Sequence, residues 1–192
     1  TIFERVALEA APHLVTLVGE AGVGKSRVLR ELESQLGART VAPTFRTGRC
    51  LPYGSGIVFW ALGEVLREEC GIVDADSADE AWTKLREYAL DLFGAKGAAV
   101  TEEAERKTAL IARLIGLEVP ADLVPTGEDP ERLRESFFSA LRAGIEAMAG
   151  RRPLVLAFED IHWADDGMLD AIEHLAQWVR APLMVICLAR DE

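Results

Sequence analysis

Gly19-Glu20-Ala21-Gly22-Val23-Gly24-Lys25-Ser26 is the stretch that decides the fold. It fits the phosphate-binding pattern G-x-x-x-x-G-K-[ST] at each fixed position. Glycines let the backbone form a concave nest whose N–H groups point at phosphate oxygens, while the lysine reaches the β- and γ-phosphates and the serine hydroxyl ligates Mg²⁺. The sequence therefore predicts a nucleotide site with these cofactor-binding residues: Gly19, Glu20, Ala21, Gly22, Val23, Gly24, Lys25, Ser26 and Arg27.

The segments on either side of this loop are those that the motif requires. Residues 13–18 form a short apolar run rich in β-branched side chains, which is typical of a buried strand. After the loop, a helix is predicted from apolar side chains that share one face: Val28, Leu29, Leu32 and Leu36. The alternative is a glycine-rich turn in an ordinary βα unit, but a strand, a glycine loop and a helix in this order favour the phosphate loop.

The composition is that of a globular domain. The chain has 192 residues, of which 49% are hydrophobic and 28% charged, and this suits one α/β domain with a sizeable core. Its 21 basic and 32 acidic side chains give a net charge of −11, which disfavours non-specific contact with the phosphates of DNA or RNA. A nucleotide pocket needs only local positive charge, so the acidity does not exclude one.

The spacing of the cysteines and the hydropathy of the sequence indicate in which cellular compartment the protein is found. Cys50, Cys70 and Cys187 show no C-x-x-C spacing, which favours a reducing cytoplasm over a disulfide framework. The sequence has no apolar run of membrane-spanning length and no signal-peptide pattern, so we expect a cytoplasmic protein without membrane contact. The first residue is Thr1 rather than methionine, and the chain stops shortly after a predicted strand, which suggests a piece of a longer protein.

The remaining pattern predicts an α/β fold with a parallel sheet flanked by helices. Further strands are expected at residues 40–48, 154–158 and 183–188, and Pro43 suggests an edge position for the first of them. Residues 50–150 carry mostly helical patterns, which predicts a large helical insertion between the second and third strands. Within it, Ser77 with Glu80 forms a capping box.

Polar residues follow the predicted strands, at the rim where open parallel sheets bind ligands. Glu159-Asp160 follows the third strand as a Walker B pattern; Mg²⁺ prefers oxygen ligands, and a second carboxylate can orient an attacking water. We expect Ser26, Glu159 and Asp160 to hold the metal. Lys25 and Arg190 join the two carboxylates as candidate catalytic residues, Arg190 as a γ-phosphate sensor. The alternatives are a solvated loop or helix cap for the acidic pair and a surface role for Arg190.

Other residues near the strand ends leave alternatives open. The second strand ends near Arg46, Thr47 and Arg49. His162 could link the nucleotide to a neighbouring element or form a local hydrogen bond. Core or half-buried packing is favoured over base stacking for the four tryptophans: Trp60, Trp82, Trp163 and Trp178.

Three stretches together resemble one family: the phosphate loop, Gly48-Arg49-Cys50-Leu51-Pro52-Tyr53-Gly54, and Glu159-Asp160-Ile161-His162-Trp163-Ala164-Asp165. They resemble the AAA-like ATPase module of STAND-type NTPases, which is attached to class III adenylate or guanylate cyclase domains or to LuxR-type transcription regulators, chiefly in bacteria. The resemblance spans nearly the whole chain, and the last two stretches are more specific than the loop. It implies a sheet in the order 2-3-4-1, Mg-ATP on the loop and the acidic pair, and a sensor arginine at position 190.

The chain departs from that family's pattern in three ways. The family's core normally continues into a fifth strand, a helical lid and a winged-helix-like segment, which we expect to lie outside residues 1–192 together with the effector domains. Many relatives carry Asp-Glu in Walker B, so the order Glu-Asp leaves open which carboxylate meets Mg²⁺. Many also use an asparagine sensor, and this chain contains no asparagine. That absence also excludes the Asn-Lys-x-Asp motif of GTPases, and no signature typical of ABC transporter ATPases is found.

The sequence therefore favours a Mg-ATP-binding, slowly hydrolysing regulatory ATPase module, spanning residues 1–192, of a larger bacterial signalling protein. Expected partners are ATP or ADP and effector domains of the same parent chain, with residues 50–150 available to a regulatory protein and oligomers formed by the full-length protein. Two alternatives stay open: a P-loop kinase for a small acceptor, and a non-hydrolysing interaction module gated by nucleotide.

Overall fold

The computed structural model describes residues 1–52, 59–93, 102–120, 123 and 129–191. Its helices and strands are α1 (Ile2–Glu9), β1 (His13–Val18), α2 (Lys25–Gly37), β2 (Thr44–Arg49), α3 (Trp60–Cys70), α4 (Ala78–Leu92), α5 (Glu102–Leu114), α6 (Pro130–Arg151), β3 (Leu154–Glu159), α7 (Asp166–Trp178) and β4 (Leu183–Ala189), with a short 3₁₀ helix at Ile161–Trp163. Tyr53 and Gly54 of the predicted family block lie outside the described residues.

The four strands form one parallel sheet in the order β2-β3-β4-β1, which confirms the predicted α/β fold and strand order. β2 is an edge strand, as Pro43 indicated, and it begins only at Thr44, whose N–H donates to the Pro153 carbonyl over 2.9 Å. The prediction of a start at residue 40 was wrong, because a proline has no N–H for the ladder. Parallel strands place all four carboxyl ends on one rim of the sheet.

In the described part of the interval between β2 and β3 lie four α-helices, α3 to α6, which confirms the predicted helical insertion. The capping box at the start of α4 is present: the Ser77 hydroxyl accepts from the Glu80 N–H over 3.3 Å, and the Glu80 carboxylate accepts from the Ser77 N–H over 2.8 Å. None of the helices in the described part of the chain is long and apolar enough to cross a membrane.

Side chains that alternate along the strands build a hydrophobic cluster on each face of the sheet. The larger cluster joins Leu156 and Phe158 of β3 to the insertion helices and α7. The smaller one joins Val155 and Ala157 to α1 and α2. The sheet is therefore covered on both faces, as an all-parallel sheet requires.

One side chain predicted on the packed face of α2 is exposed instead. Val28 is 57% exposed because it lies about 100° around α2 from the buried Leu29 and so falls outside the packed stripe. Trp163 and Trp178 are 46% and 51% exposed, so each is half-buried, within the core or half-buried packing expected for the tryptophans. Trp163 lies on the 3₁₀ helix after β3, and Trp178 is the last residue of α7.

Candidate functional site

The phosphate loop follows β1 and ends where α2 begins, so its geometry is decided by backbone conformation. Gly22 and Gly24 have φ values of 80° and 103°, in the left-handed region that L side chains rarely adopt. A Cβ atom at either position would meet nothing within 4 Å, so the requirement for glycine is conformational rather than steric. The helix that starts at Lys25 presents the positive end of its dipole to this loop.

The Lys25 ammonium closes over the loop. Its Nζ donates to the carbonyl oxygens of Gly19 and Glu20 over 2.7 and 2.9 Å. The Asp191 N–H also donates to the Gly19 carbonyl over 3.3 Å, which ties the chain after β4 to the loop. Anionic phosphate oxygens accept from an ammonium more strongly than neutral carbonyls do, so the lysine is held where it could exchange the carbonyls for phosphates.

Ser26 and Glu159 meet across the gap between α2 and β3. The Ser26 Oγ donates to Glu159 Oε2 over 2.7 Å, although the two residues are far apart in sequence. Glu159 is the last residue of β3, and its side chain is 19% exposed. A hydroxyl beside a carboxylate, with a second carboxylate on the next residue, is an oxygen donor set of the kind Mg²⁺ prefers, so these residues fit the predicted metal.

Asp160 turns the chain sharply away from β3. It has φ 55° and ψ 42°, a left-handed conformation, and it caps the 3₁₀ helix that follows. Aspartate is among the few non-glycine residues that visit this region. The turn brings the Asp160 carboxylate toward two arginines at the rim.

Arg49 is the residue that sequence reasoning left out of the site. Its Nη2 lies 3.6 Å from Glu159 Oε2, and its Nε lies 3.4 Å from Asp160 Oδ2. Its position at the end of the second strand was the only sequence signal, and the parallel register of the structure sets Arg49 directly opposite Glu159. The Arg49 backbone N–H also donates to Glu64 Oε2 on α3 over 2.8 Å, so Arg49 joins the acidic pair to the helical insertion.

The other arginines near the strand ends are placed differently. Arg190 reaches the site only loosely, with its Nη2 at 4.0 Å from Asp160 Oδ1. Arg27 is exposed on α2, and its N–H donates to the Gly24 carbonyl over 2.9 Å, which leaves its side chain rather than its amide for a nucleotide. Arg46 points to the insertion, where its Nε lies 2.7 Å from Glu69 Oε2.

Two further side chains lie beside the acidic pair. Both ring nitrogens of His162 are buried without a hydrogen-bond partner in the described part of the chain, so the local hydrogen bond considered for it is not found. Burial, followed by the nearby Cys187, Asp165, Asp160 and Glu64, raises the pKa of the Cys50 thiol to about 12. The raised pKa disfavours the thiolate form of Cys50 at neutral pH.

Comparison with known proteins places this geometry in a family. The family of the AAA ATPase domain matches residues 1–186. An uncharacterized protein of Rhizobium meliloti (strain 1021) is 28% identical over 179 residues, which cover 92% of this chain and 16% of that relative. The chain thus spans 16% of the length of a relative that it matches almost from end to end. Because the family match extends over nearly all of its residues, the chain belongs to the AAA ATPase domain family.

Proposed function

We propose that the chain is a regulatory ATPase module that binds Mg-ATP on the loop of residues 19–26. The observation that carries this proposal is the convergence of Lys25, Ser26, Glu159 and Asp160 at one rim of the sheet, with the Ser26 hydroxyl 2.7 Å from Glu159. The phosphates would lie on the backbone N–H groups of residues 21–26. Family membership supports nucleotide binding, and the chemistry of these side chains supports the metal.

Each residue has a separate part in this proposal. Lys25 would move its hydrogen bonds from the Gly19 and Glu20 carbonyls to the β- and γ-phosphates. Ser26 with one carboxylate would hold Mg²⁺, which when bound neutralises phosphate charge. The other carboxylate of the Glu159–Asp160 pair would orient the attacking water. Arg190 would sense the γ-phosphate, and Arg49 would hold the two carboxylates until the metal replaces it.

We further propose that hydrolysis is slow and that the module is cytoplasmic and acts inside a larger bacterial signalling protein, either cyclase-linked or a LuxR-type transcription regulator. Residues 1–192 would be the nucleotide-binding part, and the lid and effector domains would belong to the same parent chain. The resemblance of the blocks at residues 48–54 and 159–165 supports this, and so does a bacterial relative of which only 16% is matched. Residues 50–150 would receive a regulatory protein, and the full-length protein would form oligomers.

Replacing the loop lysine tests the nucleotide site. Lys25→Ala removes a charge-assisted hydrogen-bond donor, and we expect it to weaken Mg-ATP binding by about 1.5–3 kcal/mol, roughly tenfold or more. Isothermal titration calorimetry measures this directly. Lys107→Ala is the matched control, because that lysine lies on α5 and pairs with Glu103. Equal affinities for wild type and Lys25→Ala would reject the site.

Turnover separates the proposed function from its two alternatives. Slow phosphate release that Asp160→Asn abolishes is the expected result. Rapid transfer of phosphate to a small acceptor instead of water would favour a P-loop kinase. If nucleotide binds tightly but Asp160→Asn does not change the rate of phosphate release, a non-hydrolysing interaction module is favoured.

A further inference from the structure

A cavity lies beside α3, on the helical insertion. Its volume is about 610 Å³, within the usual range for small-molecule sites. Its apolar wall includes Trp60, Ile72 and Ile115. No residue of the loop 19–26 and neither residue of the acidic pair lines it, so it is distinct from the candidate nucleotide site.

The charges around this cavity favour a cation. Among the described residues, Glu64, Glu68 and Asp74 line it together with the Arg67 guanidinium, and Glu68 Oε1 also lies 3.8 Å from the Arg46 Nε, which is outside the lining. The Arg67 Nη2 donates to the Ile115 carbonyl over 3.1 Å, which orients the guanidinium but leaves its single positive charge against the three carboxylates of the lining. An anion such as a nucleotide would meet an excess of carboxylates here, whereas an ammonium group would be attracted.

Trp60 adds one feature that suits an organic cation. Its indole Nε1 is buried and has no hydrogen-bond acceptor among the described residues, but as a donor it offers nothing to an ammonium group, so its contribution comes from the ring face. The faces of an indole ring attract cations, and tryptophan does so more strongly than other aromatic residues. A ligand with an ammonium group on an apolar body would therefore satisfy both the carboxylates and the apolar wall.

One residue of the cavity lining, Glu64, also contacts Arg49, whose side chain lies beside the acidic pair. Glu64 Oε2 accepts the Arg49 N–H over 2.8 Å, and the Arg49 side chain lies 3.4 Å from Asp160 Oδ2 and 3.6 Å from Glu159 Oε2. A cation that draws the Glu64 carboxylate toward itself would release the Arg49 backbone. Arg49 would then hold the Glu159 and Asp160 carboxylates less firmly, including the one proposed to hold Mg²⁺.

We propose that this cavity is a regulatory site for a small organic cation with an apolar body, and that Glu64 and Arg49 transmit its occupancy to the nucleotide site. Binding of the cation stands independently of the proposed function, whereas the transmission rests on it. Because Arg49 and Mg²⁺ would compete for the same carboxylates, cation binding favours Mg-ATP.

The binding step is tested by NMR with 2-phenylethylammonium as the probe and 3-phenylpropionate as its anionic counterpart. The Trp60 indole N–H resonance, assigned with Trp60→Phe, should shift saturably with the cation and not with the anion. Asp74→Asn should weaken binding of the cation by about two- to fivefold. Glu33→Gln, on the exposed side of α2, is the control and should leave the affinity for the cation unchanged. Equal binding of both probes, or no saturable shift, would overturn the proposal.

The transmission step is tested by titrating Mg-ATP with and without saturating 2-phenylethylammonium. We expect the Mg-ATP Kd to fall by about fivefold, at the lower end of typical couplings, and the Kd of metal-free ATP to stay constant. Glu64→Gln should remove the effect, whereas Asp74→Asn should retain it once saturated with cation. An unchanged Kd, or an effect that survives Glu64→Gln, overturns the regulatory role. Should Mg-ATP fail to bind under any condition, the proposed function fails, and the NMR result still decides the cation site.

Discussion

Arg49 contacts the helical insertion through its backbone and the acidic pair through its side chain. The backbone N–H is fixed by Glu64, while the guanidinium lies between the two carboxylates that we expect to meet Mg²⁺. The side chain is 59% exposed, so each ion pair contributes only modestly to stability. We expect its importance to lie in competition, because a guanidinium beside the carboxylates opposes the binding of a metal cation to them.

Removing that side chain should therefore help the metal. We expect Arg49→Ala to lower the Mg²⁺ concentration needed for half-maximal ATP binding by about two- to fivefold, the range of one exposed ion pair. Arg190→Ala should have a smaller effect, because its Nη2 lies at 4.0 Å from Asp160. Fluorescent-nucleotide titrations at several Mg²⁺ concentrations measure both, with Arg39→Ala as the control. A higher Mg²⁺ requirement in Arg49→Ala would show that Arg49 supports the metal rather than competing with it.

Single residues of the site differ in how far the sequence could predict them. Lys25 and Ser26 follow from a motif with fixed spacing, and the acidic pair follows from an apolar strand before it. Arg49 does not, because its role depends on which residue of β2 lies opposite Glu159, and strand register is not written in any local pattern. Glu64 could not be predicted either, since it acts through a backbone N–H on another element.

The contact between β2 and α3 is close enough to exclude any side chain at one position. A Cβ atom on Gly48 would lie 2.0 Å from the Ala61 carbonyl oxygen and 2.7 Å from its carbon. Both neighbours are backbone atoms and cannot rotate away. The glycine before Arg49 therefore sets how near the insertion lies to the sheet.

Gly48→Ala should consequently push α3 away from β2. We expect a loss of about 1–3 kcal/mol in the free energy of unfolding, the usual cost of overpacking, or more because backbone must move. Urea denaturation followed by circular dichroism measures it. Gly150→Ala is the matched control: its Cβ meets nothing within 4 Å, and alanine in a helix should stabilise by roughly 0.5–1 kcal/mol. Similar stabilities for the two variants would contradict the close approach.

Elements were predicted best where a local signal sets a boundary. The capping box of α4 and the strand at residues 13–18 agree with the sequence, since each rests on neighbouring residues. The start of β2 was placed too early, because Pro43 has no N–H to donate and pairing begins only at Thr44. Val28 was placed inward on helical spacing, but only the sheet beneath α2 decides how wide the buried stripe is.

The stability of the whole molecule depends on pH through thiols that are buried in the larger hydrophobic cluster. Cys50 and Cys187 are both buried there. Burial raises the pKa of Cys50 to about 12 and that of Cys187 to about 11, from an ordinary value of 9.0. The unfolded chain therefore loses these protons first as the pH rises, while the folded chain keeps them.

Stability should fall in alkaline solution for this reason. The contribution of the two thiols is fully present below about pH 9 and is lost as the pH rises through 11 to 12. We expect the urea midpoint of the wild type to decline between pH 8 and about pH 10 more steeply than that of Cys50→Ala/Cys187→Ala. The double variant starts from lower stability because it leaves small cavities. Parallel declines in the two proteins would mean that other groups cause the alkaline loss.

The left-handed backbone at Asp160 has a consequence for how the domain can evolve. Asparagine tolerates that conformation about as well as aspartate, and a single base change in the codon converts one into the other. The carboxylate could therefore be lost in one mutational step without disturbing the turn or the fold. Descendants of such a gene would keep the phosphate loop and its lysine, and selection could retain them as receptors for nucleotide that no longer consume it.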